Sequence, residues 1–400
     1  MKPMRILIVN KFLYPRGGDC IYTLGLRKIL EKEGHQVAFF SMHYSENLSF
    51  ADSSSFAPEV SFTTSGFINK LKAIMRIFGW GVKKPFNRIL DEFNPDIVHL
   101  NNIHSYLSPL VAKLAHKRNI RVVWTLHDYK LICPSYTCMY RGNPCEACFD
   151  NKLAVLTRRC FKNSYVASAT ASAEALCWNK DKLVKWVDAF ICPSRFMADK
   201  MKSAGFPDKK ITVLNNFLDN EKVEAILNIK AGREKNAYCY VGRLSEEKGV
   251  RGLLAVASTL PYTLYIAGDG PLSKELKEKY ACEKIIFLGF QSTSGIISLL
   301  KKVCFSIVPS VCYENNPFSA IESLCCGTPV LGANIGGIPE LITFPENGCL
   351  YKHDDESDMR RCIENMFENM EFDYEQLKNS STRKYNEESY YQNLYALYIG

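Results

Sequence analysis

The 400-residue sequence lacks any apolar run near the roughly 18 residues that a membrane-spanning helix needs, so we expect no such helix. We also expect no signal peptide, because Arg5 to Asn10 runs directly into a loop without a small-residue cleavage site. Biased composition is absent: 47% of the residues are apolar and 23% are charged, which excludes disorder and low complexity. We therefore expect two or three folded domains of roughly 150 residues each, in a reducing compartment where the 16 cysteines are mostly thiols or metal ligands.

Positive charge is present in excess, and it is concentrated in one half of the chain. The net charge is +8. Residues 1–215 hold 31 Lys and Arg against 17 Asp and Glu, whereas residues 216–400 hold 19 against 25. This asymmetry indicates that the first half contacts an anionic partner, for which nucleic acid and a membrane surface are the two candidates.

The most basic stretch runs from Gly66 to Arg88 and contains no acidic residue. Apolar residues recur there at helical spacing on one face, and Trp80 follows them. These apolar residues are Phe67, Ile68, Leu71, Ile74, Met75 and Phe78, and the basic ones are Lys70, Lys72, Arg76, Lys83, Lys84 and Arg88. Lys70, Lys72 and Arg76 are expected largely on the other sides of the helix. Such a helix is typical of a segment that lies on anionic lipid; the alternative is a surface helix that buries its apolar face in the protein's own core.

Short β-rich apolar runs alternate with amphipathic helical stretches, which predicts an α/β fold with parallel sheets. In the first half the predicted strands are Arg5–Asn10, Gln36–Ser41, Ile97–Leu100, Arg121–Leu126, Tyr165–Ala169 and Ala189–Cys192. In the second half they are Ala237–Val241, Thr263–Ala267, Ile285–Leu288, Phe305–Pro309, Val330–Ala333 and Gly348–Tyr351.

A turn at Asn215-Asn216, followed by a polar segment, indicates a domain boundary. We expect a Rossmann-like domain over residues 1–215 and a second one over residues 216–379, facing each other across a cleft. The tyrosine-rich stretch Tyr385–Tyr398 predicts a final helix. Residues 380–400 are expected to pack back on the first domain.

Glycine-rich loops mark two candidate sites for an anion, because ligands of open parallel sheets bind beyond the carboxyl ends of the strands. After the first predicted strand, Gly17-Gly18 begins a helix, where backbone N–H groups can approach an anion. The second domain begins in the same way, with Arg243 and Lys248 close to glycines. Arg243 could bind a diphosphate in bidentate fashion, and Lys248 could bind it as a point charge.

The most specific stretch covers residues 313–322 and reads Tyr-Glu-Asn-Asn-Pro-Phe-Ser-Ala-Ile-Glu. Pro317 fits the first turn of a helix. The residues whose N–H groups would then point at a phosphate are Asn316, Phe318 and Ser319. Glu314 precedes this turn and Glu322 lies inside the helix, so one carboxylate could meet a sugar hydroxyl and the other a ribose.

Together these motifs resemble the retaining glycosyltransferases of family 4, which have the GT-B fold of two Rossmann-like domains. The resemblance spans nearly the whole chain, and its best motif is the Glu-x7-Glu pair formed by Glu314 and Glu322. The supporting matches are Gly242-Arg243, Lys248-Gly249, Gly268-Asp269-Gly270-Pro271, Gly289-Phe290 and Gly336-Gly337-Ile338-Pro339-Glu340.

The resemblance implies roles for individual residues. Arg243 and Lys248 would neutralise the donor diphosphate, and Glu322 would hold the ribose hydroxyls. Glu314 would face the transferred sugar, and His127 matches a histidine that reaches the donor sugar. The implied catalytic set is Glu314, His127, Arg243 and Lys248. The implied donor-binding set is Gly17, Gly18, Arg243, Lys248, Gly268, Gly270, Phe290, Asn316, Pro317, Phe318, Ser319 and Glu322.

The resemblance also implies a mechanism, which is front-face substitution with the departing phosphate helping to deprotonate the acceptor. No metal is needed for catalysis in this family, and no Asp-x-Asp pair is placed to bind one. Asp19 departs from the family pattern, because many relatives carry Glu after the Gly-Gly pair.

A second candidate site is a cluster of cysteines between positions 133 and 177. Cys145 and Cys148 form a Cys-x-x-Cys knuckle, with Cys133 and Cys160 at similar distances on either side. These four thiolates could hold a structural zinc ion, and Cys138 is left outside the set. The alternative is a group of free buried thiols or a reversible disulfide.

We expect a transferase that moves a sugar from a nucleotide-diphosphate donor, a UDP-sugar by frequency in the family, to a lipid-linked saccharide. The product would be a surface polysaccharide: O-antigen, capsule or exopolysaccharide. The protein would be cytoplasmic and peripheral on the inner face of the cell membrane, bound through residues 66–88. The alternatives are a GT-B epimerase acting on the nucleotide sugar and a zinc-knuckle protein that binds nucleic acid. The basic residues are not interleaved with a nucleic-acid-reading motif, so we expect no nucleic-acid partner.

Overall fold

The computed structural model describes residues 2–49, 52–61 and 67–400. These residues divide into two compact units. The first comprises the residues up to Tyr140, Cys145–Asn215 and Tyr390–Gly400, and the second comprises Arg141–Pro144 and Asn216–Ser389. The segment that returns to the first unit thus begins at Tyr390, whereas the sequence pattern placed its beginning at residue 380.

The first unit is built around a six-stranded sheet whose strands are ordered β2-β1-β3-β4-β7-β8. All its strand pairs are parallel. The strands are β1 (Arg5–Val9), β2 (Gln36–Phe40), β3 (Ile97–Leu100), β4 (Arg121–Thr125), β7 (Ala189–Cys192) and β8 (Ile211–Val213). Two further short strands precede β7 along the chain, β5 (Met139–Tyr140) and β6 (Asn143–Pro144). The central strands β3 and β7 are buried along their whole length, as expected for a parallel sheet with both faces covered.

The second unit repeats this plan with the order β11-β10-β9-β12-β13-β14. Its strand pairs are also parallel. The strands are β9 (Ala237–Val241), β10 (Thr263–Ala267), β11 (Ile285–Gly289), β12 (Phe305–Val308), β13 (Val330–Ala333) and β14 (Gly348–Tyr351). In both sheets the strand order reverses beside the first strand, and open α/β sheets bind ligands at such a reversal.

The described part of the chain contains sixteen α-helices, of which the last three follow the final strand. Up to residue 203 they are α1 (Gly18–Lys32), α2 (Phe67–Ile77), α3 (Lys83–Phe93), α4 (Leu110–His116), α5 (Ala154–Thr157), α6 (Tyr165–Cys177), α7 (Lys180–Trp186) and α8 (Arg195–Ser203). The others are α9 (Asn220–Asn228), α10 (Val250–Ala257), α11 (Ser273–Tyr280), α12 (Thr293–Lys302), α13 (Phe318–Cys325), α14 (Glu356–Glu368), α15 (Tyr374–Lys384) and α16 (Glu387–Ile399). Over the same described ranges, no helix has the length and apolar content to cross a membrane.

One predicted strand is wrong. Residues Tyr165–Ala169 form the beginning of α6 instead of a strand. Ser164 caps this helix, because its side chain accepts a hydrogen bond from the N–H of Ala167 at 3.4 Å. The alanine-rich sequence that follows favours a helix as far as Cys177.

Helix α16 is held against the rest of the first unit by two buried tyrosine hydroxyls. The Tyr391 hydroxyl lies 2.7 Å from Nε2 of His35, and the Tyr398 hydroxyl lies 2.5 Å from Nδ1 of His99. Nε2 of His99 in turn lies 2.8 Å from the Thr125 hydroxyl, at the end of β4. A buried tyrosine hydroxyl needs a hydrogen-bond partner, and the two histidines supply one for each of these tyrosines.

Candidate functional site

Loops of the second unit meet at the carboxyl edge of its sheet, because β10, β9, β12 and β13 are parallel neighbours. Two glycines allow these loops to pack closely. A Cβ atom on Gly249 would lie 1.9 Å from the Pro309 carbonyl oxygen, and one on Gly268 would lie 1.9 Å from the Gly242 carbonyl oxygen. Both glycines also have positive φ angles, of 67° and 137°. Gly270 lies in the same turn as Gly268, and its N–H donates to the Asp269 carboxylate at 2.7 Å.

Lys248 and Glu314 form an ion pair at this edge. Nζ of Lys248 lies 2.5 Å from Oε1 of Glu314, and the Ser310 hydroxyl donates to the same oxygen at 2.6 Å. The Glu314 carbonyl accepts from the N–H of Gly337 at 2.7 Å, so the backbone of the Glu-containing loop is held as well. The structure therefore brings together two of the predicted catalytic residues and adds Ser310, which the sequence pattern did not indicate.

The charges of this pair shift both of its pKa values. Burial of Glu314 acts to raise its pKa, but the positive charge of Lys248 and the hydrogen bonds from Lys248 and Ser310 outweigh burial and lower it. Burial of Lys248 acts to lower its pKa, but Glu314 outweighs burial and raises it. Both groups are therefore charged at neutral pH, which gives the site a fixed cation and a fixed anion.

Two other predicted donor-binding residues, Arg243 and Phe290, are exposed and take no part in this ion pair. The Arg243 side chain is exposed, and within the described residues no ion pair engages its guanidinium group. Its carbonyl oxygen accepts from the Tyr240 hydroxyl at 2.7 Å, which fixes the backbone of the loop. Phe290 follows β11 and is 84% exposed.

The N-terminus of α13 carries the third element of the site. Pro317 directly precedes the helix in an extended conformation, so the helix begins at Phe318 and not at the proline. The N–H groups of Phe318 and Ser319 lie in the first turn, where a helix leaves its N–H groups without internal acceptors. Asn316 is buried beside this turn, and its Oδ1 accepts from the N–H of Asn216 at 2.8 Å.

Glu322 is buried in α13 and contacts Lys222, a residue that sequence reasoning missed. Lys222 lies in the first turn of α9, and its ammonium group pairs with Oε1 of Glu322. The two residues are 100 positions apart in the chain. No local pattern indicates such a pair; only the adjacency of α9 and α13 in the fold brings it about.

In the first unit, His127 lies just beyond β4. Its Nε2 is 3.0 Å from the Oδ1 of Asn101, and the Tyr22 ring packs against the imidazole at a centroid distance of 4.9 Å. Burial lowers the pKa of His127 to about 4, while the Asp19 carboxylate acts to raise it and Lys11 acts to lower it. The imidazole is therefore neutral at pH 7, and it can form hydrogen bonds but not supply a positive charge.

The Gly17-Gly18 pair begins α1, as predicted. The φ angle of Gly17 is −166°, which any residue can adopt. A Cβ atom there would meet only the Asp19 carboxylate, at 3.5 Å. The backbone conformation at Gly17 does not itself require glycine.

The cysteine-rich loop, residues 133–160, groups its thiols differently from the predicted set. Cys133 is in hydrogen-bond contact with the thiols of Cys138 and Cys148, and these contacts lower its pKa. Its sulfur also lies 3.1 Å from the Ser135 hydroxyl. Cys138, which the predicted zinc set omitted, is therefore part of the group.

The other two predicted ligands have separate surroundings. Cys145 accepts a hydrogen bond from Nη1 of Arg158 at 2.9 Å, and Cys160 packs on the small apolar cluster around Val155. Across the part of the chain that the structure describes, no group of three or more His, Cys, Asp or Glu side chains is arranged to hold a metal ion. Zinc binding by Cys133, Cys145, Cys148 and Cys160 stays a prediction.

The basic segment contains α2 and the beginning of α3. Gly66 and the side chains of Phe67, Ile68 and Lys70 lie outside the described residues. Of the remaining apolar residues that the prediction named, Ile74 is half-buried, whereas Leu71, Met75, Phe78 and Trp80 face outward and are 40–47% exposed. We call these four residues the apolar patch. The exposed basic residues of the segment are Lys72, Lys83, Lys84 and Arg88.

Arg76 is the exception to the predicted pattern. It was expected on the polar side of the helix, but it is fully buried. Its guanidinium group donates to the carbonyl oxygens of Pro58 at 2.6 Å and Tyr106 at 3.4 Å. The helix therefore buries a face containing Ala73, Arg76 and Ile77, and this leaves the apolar patch outside.

Comparison with protein families gives a match along most of the chain. The family model Glycosyltransferase Family 4 matches residues 16–222, and the model Glycosyl transferases group 1 matches residues 223–384. An uncharacterized 42.6 kDa protein in the cps region of Klebsiella pneumoniae is 27% identical over 357 residues, which cover 84% of this chain and 87% of that protein. The sulfoquinovosyl transferase SQD2 of Arabidopsis thaliana is 24% identical over 275 residues, which cover 65% of this chain and 48% of that protein.

Several solved structures share the fold. The apo form of the lipopolysaccharide outer core galactosyltransferase WaaB superposes with a TM-score of 0.65 at 16% identity, covering 99% of each chain. Anabaena Alr3699/HepE in complex with UDP and glucose gives a TM-score of 0.67 at 16% identity, covering 98% of each chain. Sucrose-phosphate synthase from Thermosynechococcus elongatus gives 0.71 at 17% identity, also covering 98% of each. At these identities the likeness concerns the fold, and it confirms the predicted fold class.

Proposed function

Because the chain belongs to glycosyltransferase family 4, we propose that it transfers a sugar from a nucleotide-diphosphate donor to a lipid-linked saccharide during synthesis of a surface polysaccharide. The relative from the cps region of Klebsiella pneumoniae and the fold shared with WaaB support the link to polysaccharides. The fold shared with HepE, solved with UDP and glucose, supports a UDP-sugar as the first donor to test.

The observation that carries the proposal is the Lys248–Glu314 pair beside the N-terminus of α13. Transfer breaks the bond between the anomeric carbon and the donor phosphate, so negative charge develops on the leaving diphosphate. Lys248 and the first N–H groups of α13 supply fixed positive charge and donors for it. Arg243, which is exposed and unpaired by any acidic group within the described residues, adds a second cation on binding.

Glu314 is assigned to the sugar. Positive charge develops on the sugar ring as the phosphate leaves, and a carboxylate kept ionised by Lys248 stabilises that charge. In front-face substitution the acceptor oxygen bonds to the anomeric carbon on the side from which the phosphate departs. The acceptor proton passes to the departing phosphate, and the configuration is retained because attack and departure take place on the same face of the sugar.

His127 is assigned to a sugar hydroxyl. Its imidazole is neutral at pH 7, because burial lowers its pKa to about 4. A neutral imidazole suits a hydrogen bond with an uncharged hydroxyl better than it suits a phosphate contact. Asn101 holds the ring orientation through its contact with Nε2.

The apolar patch is assigned to the membrane. It presents Leu71, Met75, Phe78 and Trp80 next to the exposed Lys72, in a half of the chain with excess positive charge. Apolar side chains enter the acyl boundary, and the lysines and arginines attract anionic headgroups. In this proposal the protein is peripheral on the cytoplasmic face of the cell membrane, where a lipid-linked acceptor would be anchored.

The test begins with a panel of nucleoside diphosphates, scored by the rise in melting temperature, and continues with the nucleotide sugars of the base that binds. We expect the wild type to release nucleoside diphosphate from one of these donors and the Glu314→Gln variant to release none. NMR of the released sugar, recorded before it mutarotates, should show the anomeric configuration of the donor. Conversion of the nucleotide sugar to an epimer, without release of nucleoside diphosphate, would replace this proposal with the epimerase alternative.

A further inference from the structure

The segment from Asn216 to Lys222 contacts the predicted donor-binding helix at two points. The N–H of Asn216 donates to Oδ1 of Asn316, and Nδ2 of Asn216 donates to the Asn316 carbonyl, both at 2.8 Å. Six residues further on, Lys222 pairs with Glu322. One short segment therefore holds both the loop that precedes α13 and the carboxylate inside it.

Lys222 is itself held in place by its backbone. Its N–H donates to Oδ1 of Asp219 at 2.9 Å, which is the N-cap contact of α9. Just before the cap, the N–H of Leu218 donates to the Tyr385 carbonyl at 2.8 Å. The lysine thus extends from a capped first turn whose preceding residue is hydrogen-bonded to the Tyr385 backbone.

The Glu322 carboxylate is only partly engaged. Its side chain is 11% exposed and that of Lys222 is 18% exposed, so the pair is largely shielded from water. Lys222 contacts Oε1, and no hydrogen bond from the described residues reaches Oε2. A shielded carboxylate is stable only with a compensating charge, and its second oxygen still has room for a donor.

A second observation also indicates a ligand at this helix. Nδ2 of Asn316 is buried and has no hydrogen-bond partner among the described residues. An unsatisfied buried donor costs free energy, and a bound acceptor relieves that cost. Asn316 and Glu322 thus present a free donor and a free acceptor from the loop and the first turns of one short helix.

We propose that Lys222 is a positioning residue, which holds the Glu322 carboxylate so that its free oxygen accepts hydrogen bonds from the ribose hydroxyls of the donor nucleotide. This rests on the proposed function, because it takes the ligand to be a ribonucleotide. Lys222 neutralises the charge of Glu322 and occupies Oε1, so Oε2 stays available to accept hydrogen bonds from the ribose. The pair would make the protein prefer a ribonucleotide over its 2′-deoxy counterpart.

The experiment compares the affinities of UDP and 2′-deoxy-UDP for five proteins and one control by calorimetry. These are the wild type, Lys222→Met, Lys222→Arg, Glu322→Gln and the double variant Lys222→Met/Glu322→Gln. Lys230→Met is the matched control, because Lys230 is exposed and lies just beyond α9. If another nucleoside diphosphate binds better than UDP, it and its 2′-deoxy form are the probes.

We expect the wild type to prefer the ribonucleotide by about 10- to 100-fold, as one hydrogen bond to a charged group predicts. Lys222→Met should lose most of this preference, because its affinity for UDP falls while its affinity for 2′-deoxy-UDP stays within about twofold of the wild type. Lys222→Arg should keep much of the preference. The double variant removes both charges and should fold, and its preference should match that of Glu322→Gln, since the two residues act as one unit.

The outcomes separate the two claims. If Lys222→Met and the double variant prefer UDP over 2′-deoxy-UDP as strongly as the wild type does, the role of Lys222 is refuted. The proposed function is then unaffected. A wild type that binds no nucleoside diphosphate overturns the proposed function, and the role of Lys222 with it. A loss of preference in Lys230→Met as large as in Lys222→Met would also refute the assignment, because a remote change of charge would then explain the effect.

Discussion

Replacing Lys248 with Met removes the cation that compensates the buried Glu314 carboxylate. The side chains of Lys248 and Glu314 are 30% and 13% exposed, and their N–O distance is 2.5 Å. Removal of one partner from a fully buried pair costs about 3–5 kcal/mol, and water that reaches Lys248 reduces this to roughly 1–3 kcal/mol. In a unit of this size each kcal/mol lowers the melting temperature by about 2–4 °C. We therefore expect Lys248→Met to melt roughly 2–12 °C below the wild type.

The difference in stability should depend on pH. In the wild type the pKa of Glu314 is lowered and that of Lys248 is raised. The pair therefore stabilises the fold between the ordinary values of about 4.3 and about 10.4, and this stability is lost as the pH falls through the lowered pKa or rises through the raised one. Without the lysine, burial raises the pKa of Glu314, so the folded variant takes up a proton more readily. The deficit in melting temperature should be larger near pH 8 than near pH 5.

The assay combines melting curves at these two pH values with kcat/KM for the donor identified above. Loss of one group that stabilises the leaving phosphate should lower kcat/KM by about 10²–10³-fold. Lys248→Met/Glu314→Gln should regain most of the melting temperature but none of the activity. Lys352→Met is the control, because the side chains of its ion pair with Asp355 are 77% and 31% exposed, so solvent screens the pair and its loss should hardly change the melting temperature. Normal turnover in Lys248→Met, or a deficit that does not change with pH, would refute the reasoning.

Four further predictions concern other parts of the chain. Phe78→Ser combined with Trp80→Ser should abolish flotation with anionic liposomes, whereas Leu176→Ser, which changes a 52% exposed side chain elsewhere, should not; equal flotation of both variants would contradict the membrane proposal. If the cysteine-rich loop holds zinc, protein purified without chelator contains about one zinc ion per chain, and metal analysis that finds none disproves that prediction. Tyr398→Phe should lower the free energy of unfolding by about 1–3 kcal/mol in denaturant titrations, because His99 loses its hydrogen-bond partner. Burial lowers the pKa of His99 to about 3, so below about pH 6.5 the unfolded chain binds a proton that the folded chain does not, and the free energy of unfolding should fall as the pH falls. His99→Gln should reduce this dependence of the free energy of unfolding on pH, and an unchanged dependence would contradict the prediction.

The strands and the main site motif could be predicted from sequence because both are local signals. A strand that is buried on both faces reads as a short apolar run, as in Phe305–Val308. The Tyr165–Ala169 error has a local cause too, since its tyrosine and valine resemble a strand while Ser164 caps a helix. The position of Glu314 beside Lys248 follows from two motifs at the carboxyl ends of neighbouring strands.

The contacts that sequence reasoning missed depend on tertiary structure. Lys222 meets Glu322 across 100 residues of chain, and nothing in the spacing of either motif indicates it. Arg76 is similar, because its burial depends on carbonyl oxygens of Pro58 and Tyr106 that lie outside its helix. A periodic pattern shows that a helix has an apolar face, but it does not show which face the rest of the protein covers.

The return of Tyr390–Gly400 to the first unit has a consequence for the order of events during synthesis. Domains generally fold as they emerge from the ribosome, with the N-terminal one first. Here the first unit lacks its last helix until residues 216–389 have also been translated. Until then His35 and His99 have no tyrosine hydroxyls to meet, and the surface that Tyr391 and Tyr398 later cover is open. The first unit to be translated is therefore the last to complete its packing.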